Sequence, residues 1–458
     1  MLVARAELSD GCVRDVRILD DAIVAVAERL RPRLDENVID AGMCAVLPGL
    51  HDHHLHLRAL AAATTSLDLT TVGDAEALRS TLNSACAQLP PGAWLRAVGY
   101  HESIAGDLDR GRLDELAAPA TPIRVQHRTG MLWIFNSAAM AASGLDVTDA
   151  PGVDRENGRL WRRDDLVRRT SVLAPDQLAG LGSRASALGV TGFTDATPNG
   201  SSTDARDLAR DLRAAGVAQR LHLMGPVGAI APAAARASLG PVKVLLDDAA
   251  LPTVDELTET VRAAHAEARG VAFHCVTRVQ LVVAVVALDS GGPRPGDRIE
   301  HGSVIPPELI ADLCRLGVTV VTQPHFVAER GDDYRRDVDP EDRDSLYRVR
   351  SLLDAGIPVA AGTDAPFGTF DPWASMAAAR ERRTQTGHEL GAAERIEFAA
   401  AMRLYLGRPD DPARPRPIAV GEPADLCVLS VPWRALPNAL GERPVGHTIV
   451  AGEEVYER

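Results

Sequence analysis

Lysine is almost missing from this 458-residue chain: Lys243 is the single one among 49 basic residues. Arginine cannot be deprotonated inside a protein, whereas a buried lysine can lose its proton and become a nucleophile. Exchange of lysine for arginine everywhere else therefore marks Lys243 as a place where a titratable amine is wanted. Its surroundings, Pro241-Val242-Lys243-Val244-Leu245-Leu246, are those of a buried strand, where an unpartnered lysine is rare. Other absences exclude whole classes. The six cysteines are scattered with no Cys-x-x-Cys pair, which rules out a disulfide framework or a zinc knuckle. There is no run of 18 apolar residues and no charged-then-apolar leader, so no membrane association and a cytoplasmic location are expected. Positive balance is lacking too. With 63 acids and a net charge of −14, the chain is not expected to bind nucleic acid. No glycine-rich phosphate fingerprint follows the first apolar run, which argues against a doubly wound nucleotide fold.

What is present is an alternation of strand and helix. Eight short apolar runs suit buried strands: 46–57, 191–195, 220–224, 242–247, 271–274, 298–301, 318–323 and 358–364. Most are separated by helical stretches at 174–188, 205–215, 254–268 and 307–316. Eight such units predict an α/β fold, a (β/α)₈ TIM barrel. The two ends, 1–45 and 416–458, carry short alternating strands that could not each bury a core, so they are expected to pair into one small β-sandwich domain around a barrel at 46–415. A large insertion after strand one, 58–170, holds a helix at 74–88, a strand at 94–99 and a hairpin at Asn157-Gly158. Active sites lie on the face that such an insertion joins, so a lid or substrate role is expected of it.

The chemistry gathers at the ends of these runs. In His51-Asp52-His53-His54-Leu55-His56, residues two apart share a strand face, so His54 and His56 point together, with Asp52 on the same parity. Lys243 lies within the fourth run, while His274, His301 and Asp364 close the fifth, sixth and eighth. Strand ends of a barrel converge on one mouth, and imidazoles with carboxylates are the donors a zinc-like divalent ion takes. Cys275 has the opposite parity to His274 and is expected to be core. His325 and Trp373, just beyond strands seven and eight, are candidates for the pocket wall, as is Trp133 in the insertion.

The order of these motifs resembles the amidohydrolase superfamily, in the family 3 branch that includes N-substituted formamide deformylases. Pro48-Gly49-Leu50-His51-Asp52-His53-His54-Leu55-His56, Val242-Lys243-Val244, Ala272-Phe273-His274, Arg298-Ile299-Glu300-His301 and Gly362-Thr363-Asp364-Ala365-Pro366 carry the likeness. Asn136-Ser137-Ala138-Ala139 and Gly158-Arg159-Leu160 add to it. The resemblance implies two divalent metal ions, zinc by default with manganese, iron or cobalt acceptable. His54 and His56 would hold one, His274 and His301 the other, with carboxylated Lys243 bridging them. Asp364 would ligate one ion and act as general base, then acid, while a bridging hydroxide attacks the C–N bond of an amide, formamide, carbamate or cyclic amide. The partner implied is a small-molecule substrate, and a homodimer is compatible. The chain departs from the branch at His53, where a small residue is common, at Asp248, where glycine is usual, and at Met131, where histidine is frequent. His127 or Arg128 then becomes the expected substrate contact, and Asn136 is a further substrate-binding candidate.

Two other reactions fit the same fold. An aminohydrolase acting on a heterocycle would carry glutamate three residues after His274, where this chain has Thr277. A lactone or phosphoester hydrolase could use the same metals. A non-catalytic scaffold would tend to lose ligands, and all six candidate ligands are present.

Overall fold

The computed structural model describes residues 1–118, 120–168, 175–198 and 200–458, with Arg168 described in its backbone only. Arg169 and Thr170, where the insertion was expected to end, and Ala174, where a helix was expected to begin, lie outside the described residues. The chain divides into two compact units, one of Met1–Leu57 with Leu178–Arg458, the other of Arg58–Gln177.

The first unit is built on eight parallel strands in sequence order: β1 (Leu50–Leu55), β2 (Val190–Asp195), β3 (Arg220–Gly225), β4 (Ala237–Leu245), β5 (Val271–Cys275), β6 (Arg298–His301), β7 (Thr319–Thr322) and β8 (Val359–Ala361). Every neighbouring pair runs parallel, as helical crossovers demand. The sheet nearly closes on itself. Asp364 N–H donates to the His54 carbonyl at 2.7 Å and His56 N–H to that of Ala365 at 2.9 Å, so the chain just past β8 is stitched to β1. This is a TIM-barrel arrangement.

The helices between strands begin where the side chains dictate. Thr253 and Glu256 form a reciprocal cap on Val254–Ala266, and Thr277 with Gln280 does the same for Arg278–Gly291. Each cap satisfies amide donors that the first turn leaves open.

The apolar run at 46–57 divides into two strands. Val46–Pro48 pairs antiparallel with Leu426–Leu429, while β1 enters the barrel. Gly49 is the pivot, since a Cβ there would stand 2.1 Å from Thr191 Cγ2. A four-stranded sheet of Val46–Pro48, Leu426–Leu429, Val445–Val450 and Glu453–Glu457 results. A second comprises Leu2–Glu7, Val13–Leu19, Ala22–Ala27 and Val38–Asp40. Val3, Val16, Ile18 and Ile39 of one bury a common core with Val46, Leu426, Val428 and Ile449 of the other.

The inserted unit has a six-stranded sheet, of which composition predicts only part. Its helix Ala75–Gln88 starts at Asp74, whose carboxylate accepts from Ala77 N–H, and the Asn157-Gly158 turn joins Val153–Asp154 to Arg159–Trp161. No described helix is long and apolar enough to cross a membrane.

Candidate metal centre

The strand ends deliver imidazoles in a row. His54 and His56 stand with ring centroids 5.5 Å apart, His54 lies 4.6 Å from His301, and His301 lies 4.5 Å from His274. Asp364 meets the first pair: its Oδ1 is 3.1 Å from His56 Nε2 and 3.5 Å from His54 Nε2. These three residues are the one group among the described residues whose ligand atoms all fall within 4.8 Å of one another. His274 and His301 stand beside that triplet, joined to it through the ring contacts.

Two of these groups are turned by unusual backbone. His301 and Asp364 both adopt left-handed φ, 67° and 53°. Non-glycine residues pay strain in that region and keep it where the surroundings impose it. At His301 the turn, closed by Gly302 N–H to the Glu300 carbonyl, brings two consecutive side chains onto one ring. Glu300 bonds His54 Nδ1, while the His301 imidazole lies against the same His54. A regular strand would send neighbours to opposite faces.

Electrostatics keep the donors in ligand form. Burial holds His54 well below the ordinary imidazole value and lowers His301 too, with the charge of Lys243 adding to the effect at both. For Asp364 burial acts to raise the value, but the hydrogen bond to His56 and the nearby imidazoles prevail and hold it below the usual carboxylate range. Lys243 is 9% exposed and its Nζ, sealed from solvent, has no hydrogen-bond partner. Burial lowers its pKa; the charges of Glu300 and Asp364 oppose that, and Arg298 assists it. His54 Nε2 is likewise buried without a hydrogen bond. A lone imidazole nitrogen and a lone amine, both buried beside a carboxylate, are costly unless something else takes them, and the donor set suits a divalent cation.

Asp52 binds Thr363 and the His54 backbone. Its carboxylate accepts from Thr363 N–H at 2.9 Å, Thr363 Oγ1–H at 2.5 Å and the His54 amide at 3.2 Å, and burial pushes its pKa up to about 7. His325 is buried and its Nε2 lies 3.0 Å from the Thr363 carbonyl. Thr363, one residue before Asp364, is thus gripped from both sides.

The other sequence candidates are each held by partners of their own unit. Trp373 is fully buried with its indole N–H on the Leu188 carbonyl at 2.9 Å, at the start of the helix Pro372–Glu381. Cys275 is buried and its thiol pKa is raised by burial. The remaining four belong to the inserted unit. His127 contacts Glu102 at 3.1 Å and Thr129 at 2.8 Å, and Arg128 is half-buried. Trp133 is buried, its N–H on Asp164 at 2.9 Å and its ring face under Arg96 and Arg124. Asn136 is fully buried as the N-cap of Ser137–Ser143, its amide oxygen accepting from Ala139 and Ile123.

Sequence reasoning passed over Glu300, Arg298 and Gln323. Glu300 accepts from Arg298 Nε at 2.7 Å, and Gln323 Oε1 lies 2.8 Å from His301 Nδ1. The available signal was charge: Arg298 and Glu300 are charged residues in a strand whose four residues are all buried.

A sequence profile of the amidohydrolase family matches residues 37–456. The chain belongs to the amidohydrolase family. It is a hydrolase of carbon–nitrogen bonds other than peptide bonds. This amidohydrolase is similar to the N-substituted formamide deformylase of Arthrobacter pascens, at 24% identity over all of this chain and 97% of that one. It is also similar to the amidohydrolase YtcJ of Bacillus subtilis (strain 168), at 25% identity over 98% and 97% of the two chains. Among solved structures, a metal-dependent hydrolase of Pyrococcus horikoshii OT3 shares the fold with a TM-score of 0.71 at 18% identity, over 92% of this chain and 95% of that one.

Proposed function

We propose that this amidohydrolase uses divalent metal to cleave the C–N bond of an amide, formamide, carbamate or cyclic amide where the barrel strands end. The observation that carries the proposal is the convergence of Asp364 Oδ1 on His56 Nε2 and His54 Nε2, at 3.1 and 3.5 Å, beside the unpartnered amine of Lys243. The similarity to a formamide deformylase supports the bond type. His54 and His56 would hold one ion and His274 and His301 a second, with Asp364 as a ligand to one of them. Zinc is the expected ion; manganese, iron and cobalt accept the same donors.

Divalent ions held there supply Lewis acidity toward a water and a substrate carbonyl. The protein's own groups do the rest. Lys243, its ammonium form disfavoured by burial, adds as a free amine to carbon dioxide: an N–C bond forms, one proton leaves, and the resulting carbamate offers two anionic oxygens in place of a cation. Asp364, held as a carboxylate, accepts the proton of the attacking water and returns it to the departing amine nitrogen. Asp52 and His325 hold Thr363, and through it the backbone that aims Asp364.

Thr277 favours this reading over deamination. Its hydroxyl caps the helix Arg278–Gly291 and donates to Asp248, so it is no proton carrier.

The test is an assay of zinc-loaded protein against a panel of N-substituted formamides, amides, carbamates and cyclic amides, scored by amine release. Turnover of at least one class, strongly reduced by Asp364→Asn, is expected. Ammonia release from aminated heterocycles alone, or hydrolysis of lactones or phosphoesters alone, overturns the proposal.

A further inference from the structure

We propose that Arg298, Glu300 and Gln323 are positioning residues that set the tautomer and aim of two imidazoles, His54 and His301; the inference rests on the metal-centre reading above. A neutral imidazole has one N–H and one lone pair, and a ligand must present the lone pair. Glu300 Oε2 bonds His54 Nδ1, and a carboxylate can only accept, so the proton sits on Nδ1 and the lone pair on Nε2. That Nε2 is the buried nitrogen without a hydrogen bond. At His301 the same division holds: Nδ1 donates to Gln323 Oε1 at 2.8 Å, which leaves Nε2 as the free ligand atom.

Glu300 is itself held in place. Arg298 grips it side-on, Nε to Oε1 at 2.7 Å and Nη2 to Oε2 at 3.2 Å, with the two side chains 1% and 0% exposed. The same Nη2 donates to the His53 carbonyl at 2.8 Å. The pair on β6 therefore holds both the ring of His54 and the peptide immediately before it on β1. Its presence is not explained by stability. Removing two charges from water costs more than their attraction usually returns, and apolar residues of equal volume commonly hold a fold as well or better. A buried ion pair fixed to one imidazole, next to a second imidazole held the same way, fits the orientation of ligands.

Metal-free full-length protein, titrated with zinc against a chromophoric chelator, tests this. Glu300→Gln retains an acceptor oxygen but loses the charge, and Glu300→Ala loses both. We expect zinc affinity to fall about 10- to 100-fold, further for Ala than for Gln, with melting of the Gln variant close to wild type. Gln323→Met is expected to weaken binding through His301. The double variant R298M/E300L keeps volume without charge; it is expected to fold yet show the same weakened affinity and an altered visible spectrum of the cobalt-substituted centre. Wild-type zinc affinity in a folded R298M/E300L, or in Glu300→Gln whatever the double variant does, overturns the inference and leaves the metal centre standing. If the wild-type protein itself binds no zinc, manganese, iron or cobalt, the metal-centre reading falls, and this inference with it.

Discussion

Asp364 and His54 meet twice across the closing seam of the barrel. The Asp364 amide donates to the His54 carbonyl at 2.7 Å, and its carboxylate stands 3.5 Å from His54 Nε2. One backbone bond thus joins the first and last strands and brings their two reactive side chains together. The fold and the site share this junction, so a side-chain change there touches chemistry alone while a backbone change disturbs both.

Asp364→Asn preserves the shape of that junction but removes the proton acceptor. Turnover is expected to drop about 10²- to 10⁴-fold, with little change in melting temperature. Steady-state amine release beside a thermal melt checks this; an unchanged kcat would remove Asp364 from the role of base.

Lys243→Arg keeps a long cationic side chain at a buried position but removes any amine able to lose its proton. The variant is expected to bind fewer metal ions per chain than wild type and to lose activity that added bicarbonate does not restore. Elemental analysis of metal per chain, with and without bicarbonate, is the measurement. Full metal content in Lys243→Arg would show that the lysine bridges nothing.

Gly362 has no room for a side chain. A Cβ there would stand 2.3 Å from His54 N and 2.5 Å from His54 Cβ, backbone and root atoms that cannot swing away. Gly362→Ala is expected to cost more than about 2 kcal/mol of stability and to weaken metal binding together with it. Denaturant melts paired with zinc titration would show the two losses occurring together.

His222 on β3 gives a pH dependence unconnected to the ligands. Burial, reinforced by the charge of Arg298, lowers its pKa from 6.5 to about 4. The folded state therefore binds this proton less readily than the unfolded state, so the stability it confers is complete above about 6.5 and is lost as pH falls through about 4. The loss amounts to a few kcal/mol. His222→Asn, which keeps a polar group near Ser238 Oγ, should flatten the stability profile between pH 6.5 and 4. Equal slopes for the two proteins over that window would contradict the assignment.

The barrel was legible because its strands are apolar runs of the right length and its helices start at capping threonines. Six candidate ligands stood out in the sequence because metal donors are few in kind and each lay within or at the end of such a run. Boundaries were less so. The run at 46–57 conceals a break at Gly49 that is dictated by Thr191, a residue from the next unit of the barrel. Nor did the sequence foretell that Trp133 donates to Asp164 or that Asn136 caps the helix Ser137–Ser143 within the inserted unit.

By itself the sequence determined a parallel α/β barrel, a lone lysine in an apolar strand, and a succession of histidines and an aspartate at strand ends, because each is a local matter of period and residue type. Only the tertiary structure decided that Glu300 holds His54, that Gln323 holds His301, that Asp52 grips Thr363, and that His301 turns against the parity of its strand. Those contacts join residues as many as 311 positions apart. They follow from the stagger of the barrel and from left-handed φ at two positions, and neither leaves a mark in a linear pattern of polar and apolar residues.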